Sequence, residues 1–234
     1  MRLFGTIIRK YRLYKENETM IKAAIFDFDG TLANTLPDWH TSVNLMRACL
    51  GYEPITEKEV LDAVYNAGFI RLCLPDDFDE VRMNEATEAY FSAYAEHYFD
   101  KTTAYDGIAE LLAKLRALGI KLAVLSNKEH EHVGEMTEAL FPGAFDAIWG
   151  AVKEVPVKPN PARAFMIVEN FDVKPEETTL IGDADVDMMT AKNAGMLPIG
   201  VSWGYRGEDV LKKAGAAYVA GDAEDLYKII KSFI

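Results

Sequence analysis

The sequence has few cysteines and no long apolar run, and both features limit the class of protein it can be. Only Cys49 and Cys73 occur among its 234 residues. They form neither a C-x-x-C pair nor a zinc-ligand spacing, so we expect reduced thiols and a cytoplasmic location. No apolar run approaches the roughly 18 residues that a membrane-spanning helix requires. The chain also lacks internal repeats and long Gly/Ser linkers.

Positive charge is scarce as well. Lys and Arg number 25 against 37 Asp and Glu, which gives a net charge of −12. Such a surface repels nucleic acid and anionic membranes, so we expect neither as a partner. Residues 1–19 are an exception, because five positive side chains surround a short apolar patch there. This segment is either a dispensable extension or a short amphipathic arm.

Short apolar runs alternate with helical patterns through most of the chain. This alternation predicts a parallel sheet covered by helices, in a Rossmann-like α/β core. The predicted strands are Ile21–Phe26, Lys121–Leu125, Ala147–Trp149, Thr178–Ile181 and Pro198–Val201, and the clearest helical patterns are Gly107–Leu118, a helix opening at Asn160, and Asp222–Phe233.

Residues 36–103 interrupt the alternation, because only helical patterns occur there. Thr56–Glu59 forms a capping-box sequence ahead of an apolar run. We therefore predict an all-helical cap inserted at the carboxyl edge of the sheet, where open α/β proteins bind ligands. The expected boundaries are a core of residues 20–35 and 104–234 and a cap of residues 36–103.

Four polar clusters follow predicted strands. Asp27–Leu32 contains two carboxylates one residue apart, and Gly30 permits a sharp turn between strand and loop. Taken alone, this segment could also be an acidic turn that caps the next helix. Ser126 and Asn127 suit a phosphate oxygen, or alternatively an N-cap. Lys158, stiffened by neighbouring prolines, is either a placed cation or a surface lysine.

The fourth cluster is Gly182–Asp187, which has three acids within five residues. These acids cannot all ionise cheaply beside Asp27 and Asp29 unless a cation neutralises them. Mg²⁺ suits such oxygen ligands, although the acids could instead serve a helix N-terminus. Together the four clusters supply what phosphoryl transfer needs: a carboxylate nucleophile, a second acid, a metal and a lysine.

In their order and in their residues, these segments resemble the motifs of the haloacid dehalogenase superfamily, specifically of its phosphoglycolate phosphatase-like branch. The resemblance runs from about Met20 to the C-terminus. The segments that carry it are Asp27–Leu32, Ser126–Asn127, Lys158–Pro159 and Gly182–Asp183 with Asp187.

The resemblance implies a role for each matching residue. Asp27 would be the nucleophile and a Mg²⁺ ligand. Asp29 would protonate the leaving alcohol and then activate water, while its main-chain carbonyl binds the metal. Asp183 would be a direct metal ligand and Asp187 a water-mediated one. The phosphate would be bound by Thr31, Ser126, Asn127 and Lys158, with Lys158 also acting in catalysis.

The sequence departs from this branch at two places. Ala184 stands where relatives usually carry Ser or Thr. In the predicted cap, relatives often have a Gly-x-Gly-like loop that helps to select the substrate, whereas here the corresponding stretch contains Gly68 with Arg71 beyond it. Arg71 could bind a substrate carboxylate or could be an exposed helix arginine.

The sequence thus predicts a Mg²⁺-dependent phosphatase that acts on a small phosphorylated metabolite, either phosphoglycolate-like or a sugar phosphate, through an aspartyl-phosphate. A phosphosugar mutase and a non-catalytic phosphometabolite-binding domain stay open as alternatives. We expect a monomer or homodimer.

Overall fold

A computed structural model describes residues 20–66 and 68–234. The predicted extension or arm at residues 1–19 lies outside the described residues. The chain divides into two compact units. One is a helical unit, Asn34–Thr103, and the other is a sheet unit made of residues 20–33 with residues 104–234.

Eight strands and ten α-helices occur within residues 20–66 and 68–234. The strands are β1 (Ala23–Phe26), β2 (Ala33–Asn34), β3 (Thr103–Ala104), β4 (Lys121–Glu129), β5 (Ala147–Ala151), β6 (Thr178–Gly182), β7 (Leu197–Val201) and β8 (Tyr218–Ala220). The helices are α1 (Leu36–Cys49), α2 (Glu57–Val64), α3 (Phe69–Leu72), α4 (Met83–His97), α5 (Ile108–Ala117), α6 (His130–Leu140), α7 (Ala162–Asn170), α8 (Asp185–Ala194), α9 (Gly207–Ala214) and α10 (Ala223–Lys231).

Six of the strands form one parallel sheet in the order β5-β4-β1-β6-β7-β8. β1 lies in the middle, and the chain winds outward from it first through β4 and β5 and then through β6, β7 and β8. The predicted α/β class is therefore confirmed. All five predicted strands are present, but β8 was not predicted, because three residues give too short an apolar pattern to recognise.

The middle of the sheet is buried on both faces. Every residue of β1, β6 and β7 is buried, which is why these strands read as continuous apolar runs rather than as alternating ones. On one side, Ile25 and Leu180 pack with Ile167 of α7 and Ala191 of α8. Burying side chains of this size contributes about 1.5–3 kcal/mol each, so the strands that end at the polar clusters are firmly held.

The helical unit has its own apolar core. Val43, Met46 and Leu50 of α1 and its C-cap pack against Val60 of α2 and Tyr90 of α4. The predicted capping box is present: the Thr56 amide donates to Glu59 Oε2 over 2.8 Å, and the Glu59 amide donates to Thr56 Oγ1 over 3.3 Å. β2 and β3 pair as a separate two-stranded sheet.

Across residues 20–66 and 68–234, none of the helices combines the length and the apolar character needed to cross a bilayer.

The two cysteines differ in exposure, and this difference is testable. Cys49 is exposed, whereas Cys73 is buried and burial raises the pKa of its thiol to about 12. At pH 8 only about one Cys73 in ten thousand is then a thiolate, the form that reacts with disulfide reagents. We expect an aromatic disulfide reagent to modify one thiol rapidly in the folded chain and two in guanidinium chloride. Cys49→Ser should abolish the rapid phase, and a rapid phase that persists in this variant would contradict the assignment.

Candidate active site

The carboxyl ends of three adjacent strands supply the candidate site. Asp27 follows β1, Ser126 lies near the end of β4, and Asp183 follows β6. β1 pairs with β4 on one side and with β6 on the other. The winding direction changes at this point, and in open α/β sheets ligands bind at such a switch point.

Three buried carboxylates converge there. Oxygen atoms of Asp27, Asp183 and Asp187 all lie within 4.8 Å of one another. Asp187 reaches the cluster from the first turn of α8, where its Oδ2 also accepts a hydrogen bond of 3.1 Å from the Ala184 amide. Acids that are 160 residues apart in the sequence are therefore neighbours, as their positions after strands predicted.

The side chain of Lys158 bridges two of these acids. Its Nζ lies 2.7 Å from Asp27 Oδ1 and 2.6 Å from Asp187 Oδ1, and only 2% of the side chain is exposed. Burial alone would lower the pKa of Lys158, but the charges of Asp187 and Asp27 outweigh it and raise the pKa. Lys158 is therefore a buried ammonium and not a surface lysine.

One ammonium does not neutralise three carboxylates. With all four groups ionised, the cluster carries +1 − 3 = −2. Burial, followed by the charge of Asp187, raises the pKa of Asp27 well above its usual value, while Lys158 opposes the shift. A second positive charge would relieve this repulsion, and oxygen ligands favour a hard cation. The donor set therefore fits a divalent ion such as Mg²⁺.

Close backbone packing fixes the position of Asp183. A Cβ on Gly30, whose φ is +75°, would lie 2.4 Å from Asp183 Oδ2, and a Cβ on Gly204 would lie 2.3 Å from Asp183 Cβ. Real side chains do not tolerate such distances, so both positions require glycine. The Tyr205 amide donates to Asp183 Oδ2 over 2.7 Å. The support of this acid by Gly204 and Tyr205 was not predicted, because the contact joins positions more than 20 residues apart.

Thr31, predicted to bind phosphate, is fully buried beside the acids. Its hydroxyl lies 3.4 Å from Asp183 Oδ1, and its carbonyl accepts a hydrogen bond of 3.0 Å from Trp203 Nε1. The structure thus directs the Thr31 hydroxyl toward a carboxylate, and its contact with phosphate stays a prediction.

Asp29 is contacted by two residues near the carboxyl end of β4. Ser126 Oγ lies 3.5 Å from Asp29 Oδ2, and Lys128 Nζ lies 3.1 Å from Asp29 Oδ1. Lys128 was not among the residues predicted for the site, because pairing across 99 positions leaves no trace in a single sequence.

The Asn127 side chain binds the backbone of Lys158. Its Oδ1 accepts from the Lys158 amide over 2.8 Å, and its Nδ2 donates to the Lys158 carbonyl over 3.1 Å. Arg163, which is fully buried, donates to Asn127 Oδ1 over 2.9 Å and to the Ser126 carbonyl over 2.7 Å. Hydrogen bonds of Asn127, which was predicted for the site, and of Arg163, which was not, therefore connect the end of β4 to Lys158.

The two predicted specificity residues lie in the helical unit. Gly68 has φ +81° and forms the N-cap of α3. The Arg71 guanidinium binds its own unit through Glu80 Oε1 at 2.5 Å and through the Pro75 and Asp76 carbonyls at 3.0 Å. These bonds use three of the five N–H donors of the guanidinium, and a substrate contact by Arg71 stays a prediction.

Comparison with known proteins identifies the family of this chain. The profile described as haloacid dehalogenase-like hydrolase matches residues 24–201. The chain belongs to this family. This match spans most of the chain and includes the four polar segments named above, so the predicted family is confirmed.

Individual relatives agree with this assignment. The chain is 30% identical over 197 residues to a phosphoglycolate phosphatase of Psychrobacter arcticus, covering 80% of this chain and 86% of the relative. A crystal structure from Lactobacillus delbrueckii subsp. bulgaricus, provisionally named phosphoglycolate phosphatase, superposes with a TM-score of 0.82 at 30% identity, covering 90% of this chain and 98% of that one. A provisionally named beta-phosphoglucomutase of Bacteroides vulgatus, at 21% identity, TM-score 0.71 and coverages of 98% and 97%, shows the fold alone. The predicted phosphoglycolate phosphatase-like hydrolase is thereby confirmed.

Arg163 provides a stability test of the support beneath the site. Arg163→Met would remove the guanidinium bonds to the Ser126 and Pro156 carbonyls and to Asn127 Oδ1, and Asn127 Oδ1 would keep its bond from the Lys158 amide. We expect a loss of about 2–4 kcal/mol in the free energy of unfolding, measured in urea, because buried acceptors without partners are costly. Arg116→Met is the matched control, since Arg116 is 43% exposed and should cost no more than about 1 kcal/mol. Equal losses in both variants would contradict the assigned support.

Proposed function

We propose that this chain is a Mg²⁺-dependent phosphatase that hydrolyses a small phosphate monoester through a phosphoryl intermediate on Asp27. The observation that carries the proposal is the buried Lys158 ammonium, which bridges Asp27 and Asp187. A carboxylate oxygen of Asp183 lies within 4.8 Å of oxygens of both acids. This arrangement favours a nucleophilic role for Asp27 over a purely structural ion pair with Lys158. A structural pair would be neutral, whereas the cluster keeps an uncompensated charge of −2.

Mg²⁺ would be held by the carboxylates of Asp27 and Asp183 and by the main chain of Asp29, with Asp187 acting through water. When bound, the ion supplies positive charge that reduces the repulsion between a phosphate dianion and Asp27. Lys158 contributes the same kind of charge from the protein. Its contact with Asp27 holds the nucleophile in place, and its ammonium can donate to a phosphate oxygen.

In the first step an Asp27 oxygen attacks phosphorus, and the bond between phosphorus and the leaving oxygen breaks. Asp29, protonated at this stage, gives its proton to that oxygen, so an alcohol departs. Asp27 must be ionised to attack. Because burial raises its pKa, the nucleophile depends on the positive charges placed around it.

In the second step water attacks the phosphorus of the aspartyl-phosphate. Asp29, now a carboxylate, accepts a proton from this water, and the bond from phosphorus to Asp27 breaks. Inorganic phosphate leaves, Asp27 is again a carboxylate and Asp29 is again protonated. The Ser126 hydroxyl, which lies 3.5 Å from Asp29 Oδ2, would hold the Asp29 side chain through both steps.

The substrate we propose is a small phosphorylated metabolite, phosphoglycolate-like or a sugar phosphate. The relatives carry the name phosphoglycolate phosphatase, which makes 2-phosphoglycolate the first compound to test. The same acids would serve a mutase, so the products matter. Release of inorganic phosphate from phosphoglycolate or a hexose phosphate supports hydrolysis, whereas an isomeric sugar phosphate would support transfer.

Replacing the nucleophile tests the mechanism. Asp27→Asn should lower kcat for p-nitrophenyl phosphate at least about a thousandfold, as loss of a covalent nucleophile does in other enzymes. Asp209→Asn changes an exposed aspartate of the same unit in the same way and should keep full activity. Activity of Asp27→Asn close to that of the wild type, or a trapped phosphoryl group on another side chain, would exclude the proposal.

Metal removal tests the cofactor separately. We expect EDTA to abolish turnover, because the −2 charge would then repel the phosphate, and we expect added Mg²⁺ to restore it. Isothermal calorimetry should detect Mg²⁺ binding to the wild type and much weaker binding to Asp183→Asn, which keeps the size of the side chain but loses its charge. Undiminished turnover after exhaustive chelation would rule out a metal-dependent mechanism.

A further inference from the structure

Lys128 is a nearly buried cation that the mechanism above does not use. Only 5% of its side chain is exposed, and its Nζ lies 3.1 Å from Asp29 Oδ1. The approach is that of an ion pair more than of a well-directed hydrogen bond. Asp29 itself is 14% exposed, so both charges are largely removed from water.

The pairing belongs to a larger arrangement around one carboxylate. The Lys128 amide donates to Ser126 Oγ over 3.1 Å, which leaves the Ser126 hydroxyl proton free to point toward Asp29 Oδ2 at 3.5 Å. Ser126 and Lys128 therefore approach the two oxygens of Asp29 from the end of one strand, β4. Arg163 binds the same strand end through the Ser126 carbonyl.

Stability alone does not account for a pair of this kind. Removing two charges from water costs about as much as their attraction returns, so buried ion pairs contribute little net stability on average. What such a pair does supply is a defined orientation of the carboxylate. Asp29 is the one acid of the site whose proton must reach a leaving oxygen, and that transfer depends on orientation.

We propose that Lys128 is a positioning residue for Asp29, acting on the departure of the leaving group and not on phosphate binding. The inference rests on the proposed function, since it requires Asp29 to be the general acid. Lys128 restrains Oδ1, so that the proton of Asp29 in its acid form lies on Oδ2 and is presented to the oxygen of the leaving alcohol. When that oxygen takes the proton and its bond to phosphorus breaks, the Lys128 ammonium faces the carboxylate that remains.

The leaving group provides the test. Benzyl phosphate releases a strongly basic alkoxide that needs a proton, whereas p-nitrophenyl phosphate releases a stable anion that does not. We expect Asp29→Asn to lower kcat/KM for benzyl phosphate about a hundredfold and to affect p-nitrophenyl phosphate far less. Lys128→Met should show the same selectivity, with about a tenfold loss on benzyl phosphate and less than about threefold on p-nitrophenyl phosphate.

The ratio of kcat/KM for benzyl phosphate to kcat/KM for p-nitrophenyl phosphate distinguishes a lost proton transfer from misfolding. A smaller folded fraction, or a lost phosphate contact, lowers kcat/KM for both substrates equally and leaves their ratio unchanged. Lys213→Met, which alters an exposed lysine of α9, should change neither value. A double variant, Asp29→Asn with Lys128→Met, should be no more selective than Asp29→Asn alone, because Lys128 acts through Asp29.

Each result decides the matter. Selective loss in Lys128→Met that disappears in the Asp29→Asn background supports the assignment. Equal loss on both substrates, or a selective loss that multiplies with that of Asp29→Asn, overturns it while leaving the phosphatase proposal intact. The proposed function fails separately if the wild type turns over neither ester with Mg²⁺ or if Asp27→Asn stays active.

Discussion

The candidate site depends on the compensation of buried negative charge. Asp27, Asp183 and Asp187 lie together in the interior, and Lys158 places one ammonium against two of them. Without that ammonium the carboxylates would have to take up protons or move apart, because like charges in a poorly hydrated interior repel strongly. Its contribution is also incomplete, and the charge that stays uncompensated is why the three acids could hold a cation.

Much of the surrounding polar structure keeps this ammonium in place. Asn127 binds the backbone of Lys158 on both its amide and carbonyl sides, and Arg163 binds both Asn127 and the carbonyl of Ser126. The end of β4 is therefore joined through Lys158 to Asp27 and Asp187. A chain with a net charge of −12 in this way holds one buried ammonium within its acidic cluster, although the cluster as a whole stays negative.

The sequence predicted the architecture and the acids, for an identifiable reason. A buried parallel strand is a continuous apolar run, and a polar residue directly after it must lie at the carboxyl edge of the sheet, so Asp27 and Asp183 could be located without coordinates. The supporting contacts could not. Lys128 beside Asp29, Gly204 against Asp183 and Arg163 beneath Ser126 join residues far apart in the chain, and none has a local pattern. The Asn127 side chain binds the Lys158 backbone, and its predicted contact with phosphate stays a prediction.

The hydrogen bond from Tyr205 to Asp183 has a consequence for where this domain can end. The haloacid dehalogenase-like match stops at residue 201, after the last of the four polar clusters. Three residues just beyond that limit contact the site. Trp203 donates a hydrogen bond to the Thr31 carbonyl, Gly204 packs closely against Asp183, and the Tyr205 amide donates to Asp183. A fragment trimmed to the family boundary would retain every acid of the cluster and still lose the amide that orients one of them. The smallest competent unit is thus set by packing around Asp183 and extends past the recognisable signature.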